Sequence, residues 1–350
     1  MEKVLAILLS LVAVISATAS DMMTYLKGIT DENYVWITTS NGLVRYDKFS
    51  GGTKTFTPPT FTNLTALTFS GTGEIVVGGG KREEEVAMFD GVVFSPIQFN
   101  GVTPPQNISS LTVHNGLWVG GSGNLIHQTA TGWEKYDMPN SFLAEYRFGS
   151  LTWSEKCQRM WFGAIGSSSK DNLGYVDATG IYFVREANAD INGIIELDDG
   201  SLILATEYGL QKYADGKIEY IETPFSIDYP GITAITQNED GIWFGMRNKI
   251  FRYNGTEFKD YKWDNSYEED CITDMFTDKD NVIWIVFYHG GLVKFDNGEF
   301  TPVTSGVSSP IHDSELNAGD IYDLRGLKLK DAPRNQIIIR NGKKYLERVP

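Results

Sequence analysis

The sequence has few residues that could support metal or nucleophilic chemistry. Among 350 residues there are two cysteines and four histidines. The histidines, at positions 114, 127, 289 and 312, share no ligand spacing with one another or with cysteine. No EF-hand loop and no G-x-S-x-G nucleophile motif occurs. The sequence therefore predicts no metal, no cofactor and no catalytic residue, although paired carboxylates for glycoside cleavage remain open because acidic residues are abundant.

Positive charge and long apolar segments are also scarce. Lysine and arginine number 30 against 45 aspartates and glutamates, a formal net charge of −15, which argues against nucleic acid as a partner. One apolar run follows Met1-Glu2-Lys3 and ends at Ala17-Thr18-Ala19, the pattern of a cleavable secretory signal. We expect residues 1–19 to be a signal peptide, no transmembrane segment to follow, and the protein to be periplasmic, cell-surface or extracellular.

A repeating unit accounts for most of the remaining chain. Within residues 232–261, four short apolar runs (ITAI, IWFGM, KIFRY and TEFKDY) are separated by turn signals such as Asp240-Gly241 and Asn254-Gly255. This pattern predicts one antiparallel sheet of four strands. The second strand of each unit carries a large apolar residue, called here the ruler residue, at positions 36, 76, 118, 161, 203, 243 and 284.

The spacing of the ruler residues predicts the architecture. Successive intervals are 40, 42, 43, 42, 40 and 41 residues, in the range for four-stranded propeller blades. The predicted fold is all-β: a seven-bladed β-propeller over residues 20–303, with the ruler residues buried between neighbouring sheets. Cys157 and Cys271 then fall on well-separated blades, so we expect no disulfide between them.

Three units carry a family resemblance. The segments ITDENYVWITTSNGLVRYD, ITAITQNEDGIWFGMRNKIFRYN and ITDMFTDKDNVIWIVFYHGGLVKFD resemble the two-component regulator propeller repeat. Propellers of that family are often the ligand-sensing outer portions of membrane sensors, many of them in glycan utilisation. The resemblance implies a propeller that binds a ligand outside the cell.

The C-terminal region has a different pattern. Residues 304–319 are rich in Ser, Pro and Gly and are expected to form a linker. Residues 320–350 contain Tyr322-Asp323-Leu324, Gly326 and Asn341-Gly342-Lys343-Lys344, and are similar to the C-terminal sorting domain of secreted Bacteroidetes proteins. That resemblance implies a small β-domain that directs export.

Aromatic residues in the connections between units suggest a ligand site. In a propeller these connections share one face with the loops between second and third strands, where aromatic rings near polar groups suit a glycan or a protein surface. The predicted ligand-binding residues are Tyr229, Trp263, Tyr267, Tyr288 and His289. Trp263 fits no repeat position, so blade packing is not expected to require it. The predicted function is a secreted, non-catalytic recognition module for glycan or protein; a polysaccharide lyase or glycosidase and a structural surface component remain alternatives.

Overall fold

The fold consists of β-strands throughout the part of the chain that the structure describes. This computed structural model describes residues 23–61, 63–79, 85–137, 147–166, 171–184, 187, 189–263 and 270–303, and the strands of a C-terminal sheet. The all-β prediction is confirmed. Within these described residues no helix is long and apolar enough to cross a membrane.

Strands β1–β28 fall into seven successive groups of four, called blades 1 to 7 in chain order. Blade 1 contains β1 (Tyr25–Thr30), β2 (Tyr34–Thr39), β3 (Gly42–Asp47) and β4 (Thr53–Phe56). Blade 2 contains β5 (Leu64–Phe69), β6 (Ile75–Gly79), β7 (Val86–Phe89) and β8 (Phe94–Pro96). Blade 3 contains β9 (Gln106–Val113), β10 (Leu117–Ser122), β11 (Asn124–Thr129) and β12 (Gly132–Asp137). Blades 4 and 5 contain β13 (Arg147–Ser154), β14 (Arg159–Ile165), β15 (Leu173–Asp177), β16 (Gly180–Val184); and β17 (Ile191–Glu196), β18 (Leu202–Thr206), β19 (Gly209–Ala214), β20 (Lys217–Tyr220). Blades 6 and 7 contain β21 (Ala234–Asn238), β22 (Gly241–Met246), β23 (Lys249–Tyr253), β24 (Phe258–Lys262); and β25 (Ile272–Thr277), β26 (Ile283–Phe287), β27 (Gly291–Asp296), β28 (Glu299–Pro302).

Each blade is an antiparallel meander in which neighbours in sequence are neighbours in the sheet. A single residue pair, Ser122 with Arg147, joins the sheets of blades 3 and 4. Strands β29 (Ile321–Tyr322), β30 (Lys328–Leu329), β31 (Ile337–Arg340) and β32 (Lys343–Leu346) form a separate sheet in the order β30-β29-β31-β32. In this sheet β29 pairs with both β30 and β31, and β31 pairs with β32.

The ruler residues are buried, as predicted. Their exposed fractions lie between 1% and 6%, and they belong to clusters that join one blade to the next (Trp36, Val76, Trp118, Trp161, Ile203, Trp243 and Trp284). Because a single four-stranded sheet cannot bury its own faces, packing between blades supplies most of the core.

An acidic or amide side chain after the first strand both closes the turn and anchors the ruler tryptophan. Asp31 accepts hydrogen bonds from the backbone N–H groups of Asn33 and Tyr34, each at 2.7 Å, while its other oxygen accepts the Trp36 indole N–H at 3.0 Å. Asn238 likewise accepts the Trp243 indole N–H (2.7 Å), and Asp278 accepts that of Trp284 (2.8 Å). Pairing the buried indole N–H in this way avoids the cost of an unsatisfied donor.

The first strands line a central channel and are tied to one another by polar side chains. A polar residue near the start of the first strand donates a hydrogen bond to the backbone of the next blade. These bonds run from Thr65 to the carbonyl of Ile108, from Ser109 to Phe148 (2.6 Å), from Asn192 to Ile232 (2.8 Å) and from Thr233 to Ile272 (2.5 Å). These side chains form a polar belt around the channel, which satisfies carbonyl groups of the first strands that the sheets leave unpaired.

The ring closes between blade 7 and blade 1 through charged groups. Strand β1 packs against β25 and β26. The Asp274 carboxylate accepts the Gly28 backbone N–H at 2.9 Å and lies 3.4 Å from the Lys27 ammonium. Farther from the channel, Lys48 pairs with Asp278 at 3.0 Å. Strands β1–β4 are consecutive in sequence, so among the described residues side-chain contacts, and not an exchanged strand, join the first blade to the last.

Candidate functional site

The predicted site residues belong to one face of the ring. In a four-stranded meander, the start of the first strand, the loop between second and third strands and the end of the fourth strand share one end of the sheet. We call this end of all blades the upper face and the opposite end the lower face. Of the five predicted residues, Tyr229, Tyr288 and His289 lie in upper-face loops, Trp263 follows β24, and Tyr267 lies outside the described residues.

Tyr229 is the most exposed aromatic residue on the upper face that the structure describes. Its side chain is 87% exposed, in the connection from blade 5 to blade 6. The Arg247 guanidinium donates a hydrogen bond to its backbone carbonyl at 3.0 Å. Two residues on, Gly231 adopts a φ of +85°, and a Cβ there would lie 2.3 Å from the Cα of Glu207. Close packing against the β18–β19 loop therefore holds the backbone that presents Tyr229.

A buried aspartate positions Tyr288 and His289. The Asp270 carboxylate, which is 2% exposed as a residue, accepts backbone N–H groups from Cys271 (2.9 Å), His289 (3.0 Å) and Gly290 (2.6 Å). The Tyr288 N–H also donates to the Cys271 carbonyl at 2.9 Å. The rings of Tyr288 and His289 lie 4.6 Å apart between centroids, and Tyr288 is 38% exposed. Backbone hydrogen bonds therefore hold the β26–β27 loop in place.

Tyr288 borders the mouth of the central channel. A cavity of about 310 Å³ opens there, lined by the starts of first strands from all seven blades together with Arg147 and Cys271. Burial raises the pKa of the Cys271 thiol, with a further contribution from the negative charge of Asp270. A deeper cavity of about 200 Å³ continues down the channel, lined by Ser109, Asn192 and the ion-paired Lys27 and Asp274 among others. The mouth therefore offers polar groups below an aromatic rim.

Blades 4 and 5 add carboxylates and another tyrosine to the same face. Asp190 accepts the Gly166 N–H at 2.9 Å, and its own N–H donates to the Glu207 carboxylate at 3.2 Å. Burial raises the pKa of Asp190; the Gly166 hydrogen bond opposes that shift, and the negative charge of Glu207 adds to it. Tyr208, 55% exposed beside Glu207, has a raised pKa chiefly because of that carboxylate.

Trp263 takes part in blade packing although it fits no repeat position. The side chain is half-buried against the core of blades 6 and 7, with ring centroids 5.4 Å from Phe300 and 6.4 Å from Phe287. Its backbone N–H donates to the Asn248 carbonyl at 3.0 Å, and the Asn248 amide donates back at 3.3 Å. A residue that follows the fourth strand of one blade lies within reach of the next, so Trp263 has a packing role whether or not it also contacts a ligand.

Two exposed residues near the predicted ones are absent from the predicted set of five, namely Tyr208 and Arg147. The sequence does place Tyr208 on this face, since second-to-third-strand loops share one end of the blades. No comparable signal marks Arg147, which starts β13 at a position where other blades carry unrelated residues.

Neither cysteine forms a disulfide, and the described residues contain no group of three His, Cys, Asp or Glu side chains placed to hold a metal ion. Cys157 is exposed in the β13–β14 turn, whereas Cys271 is half-buried at the channel mouth. The upper face that the structure describes is thus an arrangement of exposed tyrosines, arginines and hydrogen-bonded carboxylates.

Comparison with known proteins identifies the fold. No family model and no curated protein matches this chain. Among solved structures, a streptogramin B lyase matches with 20% identity and a TM-score of 0.62, over 77% of this chain and 92% of its own. The extracellular domain of the putative hybrid two component system BT3049 from B. thetaiotaomicron matches with 14% identity and a TM-score of 0.62, over 91% of this chain but 44% of its own. YCF48 bound to D1 peptide matches with 13% identity and a TM-score of 0.60, over 78% and 92% respectively. At these identities the similarity shows a propeller-type fold and nothing further.

Proposed function

We propose that this protein is an exported, non-catalytic carbohydrate-recognition module whose ligand lies across the upper face at blades 5 to 7. The observation that carries the proposal is the set of exposed tyrosines on one rim: Tyr208, Tyr229 and Tyr288, with exposed fractions of 55%, 87% and 38%. We call this set the tyrosine rim. Exposed aromatic rings on one face are typical of a binding surface rather than of core packing.

The chemistry around the rim suits a sugar. A pyranose ring presents C–H groups to an aromatic face and hydroxyl groups to planar polar side chains. Arg247 lies beside Tyr229, Glu207 lies beside Tyr208, and Arg147 lies with Tyr288 at the channel mouth. Stacking surfaces and charged hydrogen-bonding groups therefore alternate around the rim, which allows both contact types at once.

The loops that carry the rim are held in place before any ligand arrives. The Asp270 carboxylate fixes the loop of Tyr288, and the close contact of Gly231 with the β18–β19 loop fixes the connection of Tyr229. A site built on ordered loops loses less conformational entropy on binding, so a modest contact area can give measurable affinity. The signal sequence at residues 1–19 and the extracellular setting of the BT3049 domain also agree with an exported binding protein.

In the proposed organisation, residues 20–303 form the propeller, 304–319 a linker and 320–350 a C-terminal β-domain. Assignment of the last segment to sorting rests on its sequence resemblance. The predicted residues Tyr267 and Trp263 stay in the proposal as neighbours of the rim, with Trp263 serving packing as well.

A glycan array probed with the mature chain tests the proposal. For a glycan that binds, titration calorimetry should show roughly tenfold weaker affinity for Tyr229→Ala and for Tyr288→Ala, as truncation of a stacked aromatic typically costs about 1–3 kcal/mol. Tyr182→Ala is the matched control, since this tyrosine is 40% exposed on the outer strand of blade 4, where it lies against Thr179 in the lower-face turn. An array with no binding glycan, or equal affinity losses for Tyr182→Ala and Tyr229→Ala, would contradict it.

A further inference from the structure

A third cavity lies on the lower face, between blades 3 and 4. Its volume is about 350 Å³, and the residues that define it here are His114, Trp118, His127, Glu134, Trp153 and Asp177. We call it the blade 3–4 cleft. His114 lies in the β9–β10 turn and Asp177 ends β15, so the cleft opens at the end of the blades opposite to the tyrosine rim.

Two imidazole rings stack on two indole rings in this cleft. His127 lies parallel to Trp118 with centroids 3.8 Å apart, and His114 lies parallel to Trp153 at 3.7 Å. His127 Nε2 is 3.2 Å from the Asn115 carbonyl oxygen. Because a carbonyl oxygen only accepts, this nitrogen carries the proton, and in the neutral ring Nδ1 is left as an acceptor. Burial lowers the pKa of His127, which favours the neutral form of this ring.

The formal charges that line the cleft are negative. The Glu134 carboxylate accepts the Tyr136 hydroxyl at 2.8 Å, and Asp177 is held in the β15–β16 turn by Thr179. No lysine or arginine is among the described residues that line the cavity. Arg159 interacts with the charge of Asp177, but its guanidinium lies 4.1 Å from the Tyr175 ring centroid, in the packing toward blade 5.

Other blades show what normally occupies this position. The residue that pairs with the ruler tryptophan on the third strand is a cation in three blades: Arg45 opposite Trp36, Arg252 opposite Trp243 and Lys294 opposite Trp284. In blade 1 the Arg45 guanidinium lies 5.7 Å from the Trp36 ring and 4.4 Å from the Tyr34 ring. In blade 3 the equivalent residue is His127, opposite Trp118.

We propose that the blade 3–4 cleft binds an external organic cation, an alkylammonium or alkylguanidinium group, in the role that arginine or lysine has in the sister blades. The group would lie against the aromatic rings and donate hydrogen bonds to Glu134 and Asp177. Attraction between a cation and aromatic rings strengthens when the site is partly shielded from water, and a carboxylate acceptor strengthens each N–H bond.

Calorimetry on the mature full chain tests this with n-butylguanidinium and its neutral analogue n-butylurea. We expect n-butylguanidinium to bind at least about tenfold more tightly than n-butylurea, because only the former carries charge. n-Butylammonium tests which headgroup the cleft prefers. Equal affinity for n-butylguanidinium and n-butylurea would overturn the proposal.

His127→Arg provides the matched variant. Arginine is the residue at this register position in blades 1 and 6, so the fold should tolerate the substitution. The variant should weaken n-butylguanidinium binding at least about tenfold, because its own guanidinium fills the cleft. Lys212→Arg is the control at the same register position in blade 5, opposite Ile203. Glu134→Gln, which removes one negative charge, should also weaken binding. Unchanged affinity in both His127→Arg and Glu134→Gln would overturn the proposal.

Discussion

Removing the buried ion pair that joins blade 7 to blade 1 should destabilise the whole ring. Asp278 and Lys48 have side chains 4% and 11% exposed, with Nζ and Oδ2 3.0 Å apart. The Asp278 carboxylate also accepts the Trp284 indole N–H at 2.8 Å and the backbone N–H groups of Asp280 (3.0 Å) and Val282 (3.1 Å). Asp278→Ala therefore leaves a buried ammonium and three N–H donors without their partner.

The expected loss of stability follows from these broken contacts. Breaking a buried ion pair by removing one partner typically costs about 3–5 kcal/mol, since the remaining charge stays desolvated. We expect Asp278→Ala to lower the free energy of unfolding, measured by urea denaturation, by about that amount. Asp278→Asn keeps one oxygen acceptor, so its free energy of unfolding should fall by less.

A second ion pair between the same two blades is the matched control. Lys279 and Glu32 are 2.5 Å apart, but their side chains are 56% and 70% exposed. Exposed pairs contribute little because water already solvates both charges. Glu32→Ala should therefore leave the denaturation midpoint nearly unchanged. If Asp278→Ala destabilises the protein no more than Glu32→Ala does, the argument from burial is wrong.

The pH dependence of the same contact has a definite sign. Burial acts to raise the pKa of Asp278, but hydrogen bonds from Trp284 and Lys48 outweigh it and hold the pKa below its ordinary value of 3.8. A lowered carboxyl pKa contributes stability that is present above the unfolded-state pKa and is lost as pH falls through the folded-state pKa. The stability difference between the wild type and Asp278→Asn should therefore shrink below about pH 3.8.

Three further predictions concern the upper face. Gly231→Ala should destabilise the protein because its Cβ would meet the backbone of the β18–β19 loop. Gly216→Ala, at a similar φ of +77° but with open space around it, should destabilise the protein less. The difference between their urea midpoints measures the steric contribution to the destabilisation. Asp270→Ala should cost about 1–3 kcal/mol in unfolding free energy by leaving backbone donors unpaired, and should increase hydrogen exchange in the loop of Tyr288. Trp263→Ala should lower the urea midpoint as well as any ligand affinity, and an unchanged midpoint would contradict its packing role.

The fold followed from the sequence because a repeated local pattern is a redundant signal. Short apolar runs and their ruler residues recur at nearly constant intervals, so an ambiguous unit such as that of Val76 is assigned by its neighbours. The ruler tryptophans had to be buried because each sheet has an apolar face that only another blade can cover. The polar belt of Thr65, Ser109 and Thr233 also recurs in sequence, and its period could have revealed it.

The candidate site was predictable only in part. Tyr229 and Tyr288 lie in exposed loops at the expected end of the blades because strand direction alone determines which loops share a face. Trp263 was misjudged because the same logic does not say how far a residue beyond the last strand reaches toward the next blade. Its burial depends on the size of Phe287 and Phe300, which are distant in sequence from the residue they contact.

By itself, then, the sequence determined the strands, their turns, the all-β class and the face on which the loops lie, since each depends on neighbouring residues and a repeat period. Tertiary structure alone decided how blades meet. It placed Arg147 at the channel mouth, buried Asp270 beneath the loop of Tyr288, and left a cleft with two histidines between blades 3 and 4. These features depend on distances between residues of different blades, and such distances are set by packing around the ring rather than by any local pattern.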